Sequence, residues 1–212
     1  MDNPWLDIPS ADYLAHMDSP EVGQLAVLKR IFQAALRMYR PRDVALLGCS
    51  TGNGLEDVDP AVTRRVLGVD INPAYVRSLL ERFANRGFEL TAHVADVVTY
   101  PFPDAAFDLA HCALLFEYIA WPQVLPSLAR TLRGGGRLSI VLQRPSDAVP
   151  AVTPSPYPSL QRLEQLFRFV EPDALVSRAS SLGLHLEERW VELLPAGKSF
   201  LVLHFQRLAN QR

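Results

Sequence analysis

Short apolar runs and helical patterns take turns along nearly the whole chain, and few folds accept that order. DVALLG at 43–48 reads as a buried strand and VLGVD at 66–70 as a second. Phe88, Leu90, Ala92 and Val94 alternate as a third, while FDLAHCAL at 107–114 and RLSIVLQ at 137–143 supply a fourth and a fifth. Between them lie helices. Ser19 is placed to cap one that begins at Pro20, carries Leu25, Leu28, Phe32, Ala35 and Leu36 on one stripe, and stops before Pro41. Asn72 and Pro73 open the next, striped by Val76, Leu79, Leu80 and Phe83 and followed by Gly87 as its stop; a further helix covers about 122–133. This succession predicts a parallel sheet covered by helices on both faces.

The end of the chain changes character. Segment 144–158 holds five of the 17 prolines, too many for a helix or a central strand, and reads as an irregular crossing loop. Helical patterns near 159–168 and 172–182 precede strands near 184–193 and 199–206, joined by a turn around Pro195 and Gly197. So short a connection requires antiparallel pairing. The expected fold class is α/β: a three-layer, doubly wound sheet of seven strands, mostly parallel, with an antiparallel C-terminal hairpin. Residues 1–20 read as an N-terminal arm or lid and 21–212 as a single domain.

Composition narrows the function. With 212 residues, 49% of them apolar, the chain can bury a sizeable core without metal or disulfide. A formal charge of -2 and scattered arginines offer no electrostatic pull toward nucleic acid or an anionic membrane. The N-terminal MDNPWLDIPS has acids and prolines where a signal peptide carries basic and apolar residues, and His111 and Glu117 interrupt the most apolar region. A cytoplasmic protein is expected. Cys49 and Cys112 form no CxxC pair and the five His lie far apart, so no metal site is expected.

Ligands of such sheets bind outside the carboxyl ends of the strands. In VALLGCSTGNG, Gly48, Gly52 and Gly54 follow the first strand, where the backbone can turn tightly and approach a ligand without a Cβ in the way. Asp70 ends the second strand, 22 residues after Gly48, where a carboxylate can accept hydrogen bonds from both hydroxyls of a ribose. Asp96 follows the third strand, where its carboxylate could accept an adenine amino group. Three consecutive strand ends thus describe one adenosine. GKS at 197–199 lacks the first glycine and the strand-loop-helix setting of a phosphate loop and reads as a turn.

These motifs resemble the class I S-adenosylmethionine-dependent methyltransferases, Rossmann-like proteins of the methyltransferase type 11 group, over nearly all of the chain from about residue 20. VALLGCSTGNG is similar to the family's cofactor loop, VLGVDINP to its ribose acid, and ADV to its adenine contact. FPDAAFDLAHCALLFEYI and TLRGGGRLSIVLQ are similar to its fourth strand and the entry to its fifth. The resemblance implies that Gly48, Cys49, Ser50 and Gly52 line the methionine part of S-adenosyl-L-methionine, Asp70 and Ile71 the ribose, and Asp96 and Val97 the adenine, with Ala113 closing the site. S-adenosyl-L-homocysteine would be the product. The chain departs from the family at Leu46, where an acid is usual, at Ser50, where a glycine is usual, and at Gly134, where a proline is usual.

Methyl transfer from a sulfonium mainly requires donor and acceptor to be held in line in a dry pocket. A base is optional. Tyr13 and His16, ahead of the first helix, are candidates for a lid and for proton removal, as are Glu117 and Tyr118 after the fourth strand. Trp121, Gln143 and Arg144 stand near the same edge. The expected activity is methylation of a small-molecule acceptor. Two other readings remain: a non-catalytic S-adenosylmethionine-binding regulatory module, and an NAD(P)-dependent oxidoreductase. For the second, the required Tyr-x-x-x-Lys is missing around Lys29 and Lys198, the only lysines.

Overall fold

A computed structural model describes residues 3–195 and 197–209. Positions 1–2 and 210–212, at the ends of the two expected regions, and position 196 in the expected turn lie outside the described residues. Seven strands form one sheet: β1 (Asp43–Leu47), β2 (Arg65–Asp70), β3 (Glu89–Val94), β4 (Phe107–Ala113), β5 (Leu132–Gln143), β6 (Leu184–Leu193) and β7 (Ser199–Arg207). Their order is β3-β2-β1-β4-β5-β7-β6. β1 to β5 run parallel, and β7 pairs antiparallel with both β5 and β6, so the hairpin inserts its second strand into the sheet. The order reverses direction at β1, leaving a crevice above the ends of β1 and β4.

The period of two along β1 decides which helix covers which face. Val44 and Leu46 pack against Phe32 and Ala35 of α2 (Gln24–Tyr39) and against Leu79 and Phe83 of α3 (Pro73–Phe83). Ala45 and Leu47 belong to the opposite layer, with Val124, Leu125 and Leu128 of α4 (Trp121–Thr131) and Leu175 and Ala179 of α6 (Pro172–Ser181). At the far ends of the strands Asp43 is buried between Arg65 and Arg133, which keeps those charges away from the crevice.

Two local expectations need correction. Ser19 does not open α2: its carbonyl accepts from the Val22 and Gly23 amides and closes a turn, and α2 starts at Gln24 after Gly23 at φ 58°. Burial of Val22 and Met17 favours that turn over an earlier helical start. A second helix, α1 (Ser10–Asp18), occupies the arm. The helical pattern at 159–168 breaks into α5 (Pro158–Gln161) and a 3-10 turn at Arg162–Gln165, because only Leu160, Leu163 and Phe167 find buried places. After the glycine loop only a 3-10 turn at Leu55–Asp57 precedes β2, as the dozen intervening residues demand.

Candidate active site

Above the strand ends lies a cavity of about 510 Å³. Gly48 and Ser50 reach it from the end of β1, Asp70 and Ile71 from β2, Asp96 and Val97 from β3, and Ala113 and Tyr118 from β4. Tyr13 and His16 cover it from α1. With Gln143 at the end of β5, the structure therefore brings together eleven of the residues singled out in the sequence. It does not bring in Cys49, Gly52 or Glu117. Cys49 turns down into the layer beneath the loop, where a Cβ on Gly68 would lie 2.9 Å from its Sγ. Gly52 faces Phe83 and Leu55. Trp121 stacks on Phe116 with centroids 6.2 Å apart, and Arg144 lines a separate cleft with Arg189.

Asp70 is 8% exposed, and each of its carboxylate oxygens already accepts one backbone hydrogen bond, Oδ2 from the Ser50 amide at 2.8 Å and Oδ1 from the Asn72 amide at 2.9 Å. One bond per oxygen leaves lone pairs for two further donors. Burial raises its pKa, opposed by the amides of Asn72, Ser50 and Ile71. Ser50 adopts φ 46° and Leu114 φ 53°, so among the described residues two of the four non-glycine residues with positive φ stand at the cavity. Each costs on the order of 1–2 kcal/mol, a strain of the kind that collects at functional sites. The Ser50 hydroxyl is buried without a hydrogen-bond partner. An orphaned donor, a glycine at φ 62° and a carboxylate with open lone pairs fit a nucleoside carrying a polar tail.

The arm is fastened to this site. Asn72 accepts from the Ala74 and Tyr75 amides and so caps α3, while its Nδ2 donates to the carbonyls of Trp5 at 2.8 Å and Ile8 at 3.0 Å. Trp5 meets Tyr118 edge-on at 5.0 Å, and Tyr13 packs at 5.4 Å from Tyr75. Burial pushes the Tyr13 hydroxyl up to about 12, helped by the Asp70 charge, so it remains a donor at neutral pH. Burial, with the Lys198 charge adding, lowers His16 below its ordinary value. His16 is thus neutral at pH 7 and able to accept a proton.

Sequence reasoning missed Trp5, Gln24 and Lys198, all of which line the cavity. The aromatic in MDNPWLDIPS was a signal for the first. Nothing in the sequence marked Lys198 beyond a turn.

Glu117 lies beneath the floor and ties β4 to β5: Oε1 accepts from the Gln143 amide at 2.7 Å, and its carbonyl accepts from the Arg168 amide at 2.8 Å. Oε2 has no partner. Burial raises the carboxyl to about 7, which the Gln143 amide only partly offsets. Between about pH 4.5 and 7 the folded state therefore binds a proton that the unfolded state has released, and stability falls as pH rises through that window, by about 3 kcal/mol in all. Glu117→Gln should remove this dependence. Urea denaturation at pH 5.5 and 8 should show the variant holding at pH 8 the stability that the parent loses; equal pH dependence in both would place the titration elsewhere.

The sheet order, the inserted antiparallel strand and the ligand crevice over β1 and β4 define the class I, Rossmann-like methyltransferase fold. Residues 44–136 match the family model described as a methyltransferase domain. A demethylmenaquinone methyltransferase of Thermus thermophilus is 35% identical over 104 residues, 47% of this chain and 47% of that protein. The chain covers only 39% to 50% of the curated relatives it matches. Among solved structures, the N-methyltransferase NodS of Bradyrhizobium japonicum, in complex with S-adenosyl-L-homocysteine, superposes with a TM-score of 0.72 at 17% identity, over 97% of this chain and 99% of that one. The [4+2]-cyclase SpnF shares the fold with a TM-score of 0.65 at 13% identity, over 86% of this chain and 81% of that one.

Proposed function

We propose that this chain transfers the sulfonium methyl of S-adenosylmethionine to a small-molecule acceptor. The observation that carries the reading is the single cavity onto which the ends of β1, β2, β3 and β4 all open, with Asp70 unsaturated at its centre. When bound, the cofactor supplies an electrophilic methyl and a neutral thioether leaving group. Gly48 and Ser50 would hold its amino-acid part, Asp70 and Ile71 the ribose, and Asp96 and Val97 the adenine. Asp96 keeps one oxygen engaged by the Val98 amide and has the other open. Tyr13, His16 and Trp5 close the cavity against water, and the neutral His16 imidazole is placed to take the acceptor's proton. The methylated substrate of the Thermus relative is a small molecule by its name, which supports an acceptor of that class.

Calorimetric titration with S-adenosylmethionine, S-adenosylhomocysteine and NAD in parallel tests the reading. Micromolar binding of the first two and none of the third is expected; binding of NAD alone would overturn it. With the first two bound, Tyr13→Phe and His16→Ala should lower kcat more than they change cofactor affinity. Normal kinetics in both variants would make the arm a mere surface element.

A further inference from the structure

The two lysines stand in opposite circumstances. Lys29 is half-buried and held between Glu56 and Asp57, at 3.8 and 3.0 Å. Lys198, one residue before β7, is 4% exposed and lines the cavity. Its Nζ donates to the Ala151 carbonyl at 2.7 Å and reaches Gln143 Oε1 at 3.5 Å. Among the described residues no carboxylate lies within ion-pair distance of it. Two neutral oxygens satisfy two of its three protons and leave the charge uncompensated, which is an expensive arrangement for a buried ammonium.

The charges of the cavity are also segregated. Its carboxylates, Asp70 and Asp96, stand at the ends of β2 and β3, while Lys198 stands beside the ends of β5 and β7. Four strand spacings separate β2 from β7, about 19 Å, so Lys198 is out of reach of Asp70. A nucleoside over β1, β2 and β3 leaves the β5 end to the second substrate. Val152, next to Ala151, and Phe167, edge-on to Tyr118 after β4, add apolar wall to the cavity. His16 faces Lys198 from α1, and being neutral at pH 7 it adds no charge; the facing atoms of β5 and of the loop after it are the uncharged Gln143 side chain and Ala151 carbonyl.

We propose that the acceptor carries an anionic oxygen, a carboxylate or phenolate on a mostly apolar frame, and that Lys198 Nζ is its counter-charge. This rests on the methyltransferase reading for the position of the cofactor. Burial lowers Lys198 to about 8, and a bound anion would raise it again. By linkage the anion binds best below that value and weakens as pH climbs through it.

The test uses the full chain saturated with S-adenosylhomocysteine and two probes of one shape, 2-naphthoate and 2-naphthamide. Calorimetry should show the carboxylate binding about tenfold or more tightly than the amide, and Lys198→Met should erase that preference while leaving S-adenosylhomocysteine affinity unchanged. A second measurement needs no variant at the site. Lysine labelled with carbon-13 at Cε gives two resonances, assigned through Lys29→Arg, and naphthoate should raise the titration midpoint of Lys198 while naphthamide leaves it in place. Equal binding of the probes, binding of neither, a preference that survives Lys198→Met, or an unmoved midpoint would overturn the proposal. So would a loss of S-adenosylhomocysteine affinity in Lys198→Met, which would assign the ammonium to the cofactor's own carboxylate. Failure of the parent to bind S-adenosylhomocysteine would count against the methyltransferase reading, whereas the resonance of Lys198 with naphthoate alone still reads the anion site.

Discussion

Asp70→Ala should lower S-adenosylmethionine affinity by on the order of 10²–10⁴-fold, with Asp70→Asn falling between the variant and the parent. The carboxylate is 8% exposed and offers one open lone pair on each oxygen, so on the proposed reading its removal would leave two ribose hydroxyls buried without partners. Each hydrogen bond to a charged group is worth about 1.5–3 kcal/mol, and two of them give the range stated. The same deletion strips the Ser50 and Asn72 amides of their acceptor. Thermal unfolding measured beside the calorimetric titration separates the two effects. Parent-like affinity in a folded Asp70→Ala protein would mean that the nucleoside sits elsewhere.

Gly52→Ala should cost about 3 kcal/mol of stability, a fall in Tm of roughly 6–12 °C for a domain of this size. Gly52 has φ 83°, and a Cβ there would lie 2.8 Å from Cε2 of Phe83 and 3.1 Å from Cδ1 of Leu55. Both neighbours are 1% exposed and have nowhere to move. Gly183→Ala is the control. Its φ of 78° carries the same backbone strain, with no atom within 4 Å of the new Cβ, so only about 1–2 kcal/mol should be lost. Equal losses in the two variants would show that backbone strain alone, and not the seat of Phe83, makes glycine necessary in the loop.

The parts of this structure that were legible in the sequence are those fixed by local chemistry. Asn72 followed by Pro73 writes a helix start in two letters, and the Asn72 side chain caps α3 as expected. The apolar runs of β1 and β4 read as doubly covered strands because both faces of each meet helices. Asp70 was legible as the end of β2, where the carboxyl ends of the strands open on the cavity. Cys49 was assigned to the ligand by its place in the motif, yet each residue of a tight turn points its own way, and Cys49 points down. The same holds for Glu117, one residue before Tyr118, which does face the cavity. Lys198 was invisible for a different reason: its neighbours Gln143 and Ala151 lie 55 and 47 residues away, and only the insertion of β7 beside β5 brings them together.

The fastening of the arm sets the order in which this molecule can become complete. Asp12 accepts from the Ser159 hydroxyl across 147 residues of chain, and Asp7 pairs with Arg162 across 155. Contacts of such sequence separation pay their loop-closure entropy late. A ribosome delivers the arm about 150 residues before Ser159 and Arg162, so Trp5, Ile8 and Tyr13 wait with apolar surface uncovered while the sheet forms behind them. The roof of the cavity is consequently the last piece to be laid, and a nascent or half-folded chain, even with β1 to β4 in register, presents only an open floor.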